Sequence, residues 1–372
     1  MFDKSLDAIK SRRIFKSVKS EVIDSKVDNQ LKEINIFVEE KPTGEIFAGA
    51  GAGTSGATIS AGIKENNYLG KGIGLSTNFS LSEDEVKGKF SFVNPNFRNS
   101  DRSLNAILES TNSDFLSTGG FKTSRTGFGI GTGFEQYSDL YVNIDVSTYY
   151  EKLETASTAS AHKKRQEGDY FENLLSYKFS LNKLDNNFQP SDGYRFGFEQ
   201  VLPIYSDDLS ISNTFNLARY SSITDNLIIS GKFFFRAVNS IDDDVRVSRR
   251  IYIPSSKLRG FEAGKFGPKD GNEYVGGNYG SAINLNTTLP NIFSENDNVD
   301  LSLFLDAASL REVDYDSSLE SSEIRSATGI AVNLYTPIGP LSLSYAIPLS
   351  SEPTDKTESF RFRIGTSFWN EK

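Results

Sequence analysis

The chain has 372 residues, 37 % of them hydrophobic, with a formal net charge of −9 and no cysteine. That balance offers no basic face to nucleic acid, and without thiols there are neither disulfides nor thiolate metal sites. No run approaches the roughly 18 apolar residues of a membrane helix. Mean hydropathy is −0.39, which ordinarily signals a soluble chain but is compatible with a transmembrane barrel, where lipid-facing residues alternate with lumen-facing ones.

Residues 1–41 differ from the remainder. Phe2, Leu6, Ile9 and Ile14 lie near helical spacing, and two strand-length stretches follow, "IFKSVKSEVI" and "LKEINIFVEE". A helix and two strands bury too little for an independent core, so the segment reads as the end of a small α+β module. The opening "MFDKSLDAIKSRR" has no apolar signal-peptide core. Either the chain is cytosolic, or Met1 begins a fragment of a longer protein.

From Gly44 the pattern becomes period two. In "LSLFLDAAS", Leu301, Leu303, Leu305 and Ala307 share a face opposite Ser302, Phe304, Asp306 and Ala308. "LSLSYAIPL" places Leu341, Leu343 and Ile347 opposite Ser342, Ser344 and Ala346, and "FRFRIGTSFW" places Phe360, Phe362, Ile364 and Phe368 opposite Arg361, Arg363 and Gly365. Segments of this kind number about sixteen from Gly44 to Trp369, separated by Gly-, Asn-, Asp- and Ser-rich turns, as in transmembrane barrels. A soluble sandwich would need apolar inner faces, whereas here the second face carries Ser, Asn, Gly, Lys and Arg. The expected fold is an all-β, antiparallel transmembrane barrel over residues 42–372, with Leu301, Leu303, Leu305, Leu341, Leu343, Ile347, Phe360 and Phe362 toward lipid. Ser302 and Ser344 would face the lumen and tolerate a charge.

The motifs for other chemistries are weak. "GAGTSG", Gly51 to Gly56, matches a dinucleotide fingerprint, but "ATISAGIK" follows as a strand where a phosphate-binding helix is required. His162 is the only histidine and lies in a polar stretch between strands, reading as a solvated loop residue with no second metal ligand and no hydrolytic partners. The carboxylates of "IDDDV" (Asp242 to Asp244) and "SEDEV" (Glu83 to Glu85) lack calcium-loop spacing. No catalytic residue, metal ligand or cofactor site is expected.

One stretch breaks the alternation. "PSSKLRGFEAGKFGPKDG", Pro254 to Gly271, lies in a loop running from about Asn239 to Asn272, far beyond the roughly 12–15 residues of ordinary structureless loops. It is too apolar for disorder. An arginine folded in with such a loop needs an acidic or carbonyl partner to offset its desolvation. Asp306, on the polar face of "LFLDA" beside Phe304, is the best candidate.

Here the residues resemble the outer-membrane protein assembly factor family. "LRGF" (Leu258, Arg259, Gly260, Phe261) resembles its Val-Arg-Gly-Phe/Tyr signature, "VGGNYGSAINL" its next strand, and "FLDAA" its F-x-D-x-G motif. "IRSATG", "TPIGPLSLSYAIPL" and "DKTESFRFRIGTSF" resemble its last three strands, with "NKLDNNFQPSDGYRF" and "VEEKPTGEI" matching earlier. Residues 1–41 resemble most of the last periplasmic POTRA module. Ala308 and Ala327 stand where the family has Gly and Ser. Asn286 stands where some relatives have a glutamate contacting the loop arginine, which favours a single Arg259–Asp306 pair over a network.

The resemblance implies an insertase, neither pore nor enzyme, that folds β-barrel proteins into the outer membrane through a lateral gate between its first and last strands. The gate residues would be Ile46, Phe47, Ala48, Gly49, Ala50 and Gly51 on one side and Phe360, Phe362, Ile364, Gly365 and Phe368 on the other. Implied partners are unfolded outer-membrane proteins as clients, outer-membrane lipid, accessory assembly lipoproteins and periplasmic chaperones, with no nucleic acid and no cofactor. The barrel would sit in the outer membrane and the POTRA segment in the periplasm. The alternatives are a two-partner secretion transporter, a passive porin, and an outer-membrane lipid hydrolase.

Overall fold

The computed structural model describes residues 6, 9, 14–25, 32–187, 189–224, 226–290, 298–321, 323–336 and 339–365. Leu6 and Ile9 are helical. Strands β1 (Phe15–Asp24) and β2 (Lys32–Glu40) form a separate antiparallel pair, with Val18 opposite Val38. Ile14, just before β1, is buried and lies against a cleft shared with Glu65, Ser91 and Phe134 at one end of the main sheet.

The main sheet runs β3 (Gly44–Gly53), β4 (Gly56–Tyr68), β5 (Ile73–Ser82), β6 (Glu85–Asn94), β7 (Arg102–Phe115), β8 (Phe121–Tyr137) and β9 (Leu140–Thr155). A short helix α1 (Ala161–Arg165) precedes β10 (Gly168–Asn182), β11 (Gly193–Ser206), β12 (Ser210–Thr224) and β13 (Leu227–Ser240). Three two-residue strands follow within a long loop: β14 (Gly260–Phe261), β15 (Lys269–Asp270) and β16 (Glu273–Tyr274). Then come β17 (Tyr279–Leu289), β18 (Val299–Arg311), β19 (Arg325–Thr336), β20 (Gly339–Ser350), the short β21 (Thr357–Glu358) and β22 (Phe360–Gly365). β3–β13, β17–β20 and β22 pair in sequence, and β22 returns to β3, closing a barrel of sixteen antiparallel strands.

Closure follows from the alternation. Ile59, Phe79, Leu108, Phe128, Leu303, Ile330, Ile347 and Phe360 are exposed on the outer face, while Asn284, Ser302, Asp306 and Ser344 are buried on the inner one. In hydrocarbon an unpaired strand edge has no water to satisfy its backbone, so only a closed ladder is tolerated. The wall is uneven in height: β8 and β9 have 17 and 16 residues, β3 only 10. The expected lipid face has the inferred phase, with Leu301, Leu341, Leu343 and Phe362 half-exposed beside the fully exposed positions.

One expectation fails. Ser302 and Ser344 do point inward, but they are buried, because a luminal loop covers part of that wall and the Ser302 hydroxyl lies 2.9 Å from that of Thr288. A lysine would not fit there. On β4, away from the loop, half-exposed Ser60 faces inward beside exposed, outward Ile59. Ile59→Lys should cost roughly 2–4 kcal/mol of barrel stability at midplane depth, and Ser60→Lys should be near neutral. Urea unfolding in lipid vesicles distinguishes them; equal losses would reverse the assigned strand phase.

Candidate functional site: a luminal loop and a strand seam

The sequence expectation began the long loop at Asn239. In the structure Asn239 and Ser240 complete β13, and the loop spans residues 241–278, ending one residue before β17. It folds into the barrel rather than away from it. Leu258, Phe261 and Phe266 pack with wall residues Phe234, Ala308 and Leu310 in one buried apolar cluster. Burying such side chains stabilises by about 1.5–3 kcal/mol each, which offsets the cost of ordering the loop backbone.

Arg259 sits over the β17–β18 pair, where Asn284 faces Asp306 and Asn286 faces Phe304. Its Nε donates to Asp306 Oδ2 at 2.6 Å and its Nη2 to Asp306 Oδ1 at 2.7 Å. Its backbone N–H also reaches Oδ2, at 3.1 Å. Asn284 Nδ2 donates to Oδ1 at 2.8 Å, and to the Lys257 carbonyl at the same distance. The guanidinium carbon lies 3.5 Å from the centre of the Phe304 ring. A single ion pair was expected here; the structure contains a network. Asn286 Oδ1 accepts from Arg259 Nη2 at 2.8 Å, because a neutral amide oxygen serves the remaining guanidinium donor as a carboxylate would.

The rest of the motif lies across the last strands. Gly260 has φ +87°, and a Cβ there would come within 3.0 Å of Ala327 Cβ and 3.2 Å of Ala346 Cβ. Glycine is therefore required twice over, by backbone conformation and by the two alanines beneath it. Gly260 and Phe261 pair with Glu358 and Thr357 of β21. Arg361, an inward residue of β22, donates through Nη2 to the Phe261 carbonyl at 2.6 Å and through Nη1 to the Ser255 carbonyl at 2.8 Å.

Other anchors escaped the sequence reading. Arg246 and Arg249 of the loop bond Glu172 on β10 and lie within 3.6 and 3.7 Å of Glu151 on β9. Arg250 pairs with Asp314 between β18 and β19. Lys163 on α1 donates to Glu273 at 2.6 Å, and Arg325 to Glu352 at 2.6 Å and Asp355 at 3.0 Å. The available signal was "RVSRR", three arginines in an apolar loop, facing glutamates at inward strand positions. His162 is likewise not the solvated residue expected. Its ring stacks on Tyr315 at 3.7 Å, because α1, N-capped by Ser160, presses it against the loops.

At the seam, the described part of β22, which ends at Gly365, pairs with β3 at Gly51–Gly365, Ala52–Ile364 and Gly53–Arg363. Ile46, Ala48 and Ala50 point outward, and Phe47, Gly49 and Gly51 inward. Phe360, Phe362 and Ile364 are on the outer face of β22; Phe368 lies outside the described residues. Gly365 has φ +116°, and a Cβ there would sit 2.1 Å from the Ala50 carbonyl. Of the "GAGTSG" glycines, Gly51 and Gly53 lie in β3 and Gly56 opens β4, around a turn at Thr54 and Ser55, with strand rather than helix following. Among the described residues no cluster could hold a metal ion.

A closed barrel, apolar outside and plugged from within by one of its own loops, defines an integral outer-membrane β-barrel with an internal structural loop. Residues 67–368 match the Omp85 superfamily domain. The chain belongs to that superfamily, whose barrels are not enzymes. It is 26 % identical to outer membrane protein assembly factor BamA of Neisseria meningitidis serogroup B over 90 % of its own length and 48 % of that protein's. It is 24 % identical to BamA of Nitratidesulfovibrio vulgaris over 97 % of its length and 46 % of that one's. The chain thus spans about half the length of these relatives. The crystal structure of Haemophilus ducreyi BamA lacking POTRA domains 1–3 superposes with a TM-score of 0.85 at 23 % identity, covering 98 % of this chain and 78 % of that one. CdiB from Acinetobacter baumannii gives 0.64 at 9 % identity, over 96 % and 67 %.

Breaking the buried pair by Arg259→Ala or Asp306→Ala should each cost roughly 3–5 kcal/mol, because the partner's charge is left uncompensated. The double variant should lose less than the sum. Unfolding in vesicles measures both, and additive losses would mean that the two groups act separately.

Burial holds the His162 imidazole below its usual range, with Arg250 and Arg165 adding to the effect and Asp244 and Asp314 opposing it. A histidine depressed in the docked state is protonated preferentially when undocked, so docking is full at neutral pH and weakens as pH falls below about 6.5. Residues 156–167 should therefore become more protease-sensitive at pH 5.5 than at 7.5, and His162→Phe, which keeps the stack, should remove the difference.

Proposed function

We propose that this barrel inserts β-barrel proteins into the outer membrane through a lateral gate between β3 and β22. The observation that carries the reading is the composition of the seam: β3 meets β22 through Gly51–Gly365, Ala52–Ile364 and Gly53–Arg363, with a glycine or alanine on the β3 side of every described pair. A strand pair is stabilised by side chains facing across it, and "GEIFAGAGAG" supplies few large ones. A client strand would add to the β3 edge near Ile46 to Gly51 by β-augmentation. Its backbone would then be paired as it enters lipid, which removes the main cost of placing an open strand there.

The similarity to two outer membrane protein assembly factors, at 26 % and 24 % identity over most of this chain, supports this reading. In this proposal residues 1–41 are the C-terminal part of a POTRA module, residues 42–372 the barrel, and the Arg259 network the anchor that holds the loop in the lumen. Clients are unfolded outer-membrane proteins delivered by periplasmic chaperones, with accessory lipoproteins and outer-membrane lipid as further partners.

Ala52 and Ile364 are facing partners on the outer face, and the absence of native cysteine makes a cross-link between them specific. Ala52→Cys with Ile364→Cys, oxidised, should reduce client insertion into vesicles at least tenfold without altering the folded barrel, and reduction should restore it. Insertion at the unlocked rate would remove the lateral gate and favour action on the bilayer alone.

A further inference from the structure

The last strand is tied to more than its neighbours. Arg361 is buried on the inner face of β22. Its Nη2 donates to the Phe261 carbonyl at 2.6 Å, its Nη1 to the Ser255 carbonyl at 2.8 Å, and its Nε to Glu358 at 2.7 Å. The two carbonyls bracket the tip of the luminal loop, and a guanidinium, with donors on separate nitrogens in a rigid plane, can hold both at once. The same tip is fixed to β18 through Arg259 and Asp306 at 2.6 Å and rests on Ala327 of β19 and Ala346 of β20.

Moving β22 away from β3 therefore has two routes. Either the Arg361 bonds to the loop break, so that two carbonyls lose their guanidinium donor and the buried guanidinium keeps only Glu358, or the loop tip moves with the strand. We infer that Arg361 is a clasp through which the position of the luminal loop controls separation of the last strand from the first. It is a positioning residue: it touches no client and acts through the strand that bears it. The inference rests on the lateral-gate reading above and adds to it the element that holds the gate shut.

Hydrogen exchange of the whole chain in phospholipid vesicles tests this without any client. The Thr54 amide donates to the Phe362 carbonyl across the seam, so exchange at residues 51–54 and 360–365 reports seam opening. Arg361→Ala should raise exchange there and at residues 255–262 at least tenfold, with β7–β9 unchanged. Arg361→Lys, able to reach one carbonyl but not to bridge both, should fall between Arg361→Ala and the native chain. Unchanged seam exchange in Arg361→Ala overturns the clasp, as does an equal rise throughout β7–β9. If the seam loosens but client insertion keeps its rate, the clasp stands and the gate reading fails. If the seam does not loosen while the Ala52–Ile364 cross-link still blocks insertion, the gate stands and the clasp fails.

Discussion

The Asp306 carboxylate is fully buried inside a membrane barrel, and its acceptor sites are filled by Arg259 Nε, Nη2 and backbone N–H together with Asn284 Nδ2. A bare carboxylate in that position would be unsustainable. Because one of its donors is the loop's own backbone, charge compensation and loop placement are one event. Arg259 cannot satisfy Asp306 unless Leu258 and Phe261 enter the apolar cluster, and those side chains cannot stay there unless Gly260 lies flat on Ala327 and Ala346.

The barrel was legible in the sequence because alternation is a local signal: each strand declares its two faces independently of every other strand. The Arg259–Asp306 contact was legible for a different reason. A lone arginine in an ordered loop demands an acid, and inward positions on the strands after the loop offer few. What stayed hidden was the partnering of Arg246 and Arg249 with Glu151 and Glu172, since strand phase gives a residue's side and not its distance from a loop far along the chain, 74 and 77 residues beyond Glu172. His162 was misjudged because polarity of the surrounding sequence was taken for exposure. The polar neighbours are loops packed on one another, and the ring is enclosed by them. Asn286 was misjudged by charge alone, when the guanidinium had a donor left that any oxygen could accept.

Small residues serve opposite ends at the two sites. Under the loop, Ala327 and Ala346 permit a close approach that adds contact, and the Gly260 backbone gains partners in β21. At the seam, smallness thins contact: Gly51 faces Gly365, while Ala52 and Gly53 set only a methyl and a hydrogen opposite Ile364 and Arg363. Late-strand architecture is thus firm toward the lumen, where Arg361 ties β22 to the loop, and faces small residues on the first strand.

Around the barrel, β22 is the sixteenth strand and β10 the eighth, so the two stand opposite each other. The luminal loop is fastened to both, through Arg361 at one end and through Arg246 and Arg249 to Glu172 at the other. Mechanically it is a chord across a ring. A ring slit at one point loses most of its resistance to flattening, because bending no longer has to stretch a closed circumference. A chord between the lip of the slit and the far wall restores that resistance along one diameter. Under the proposed lateral gate, the cross-section would then admit an added strand at the seam without the wall collapsing on the space behind it.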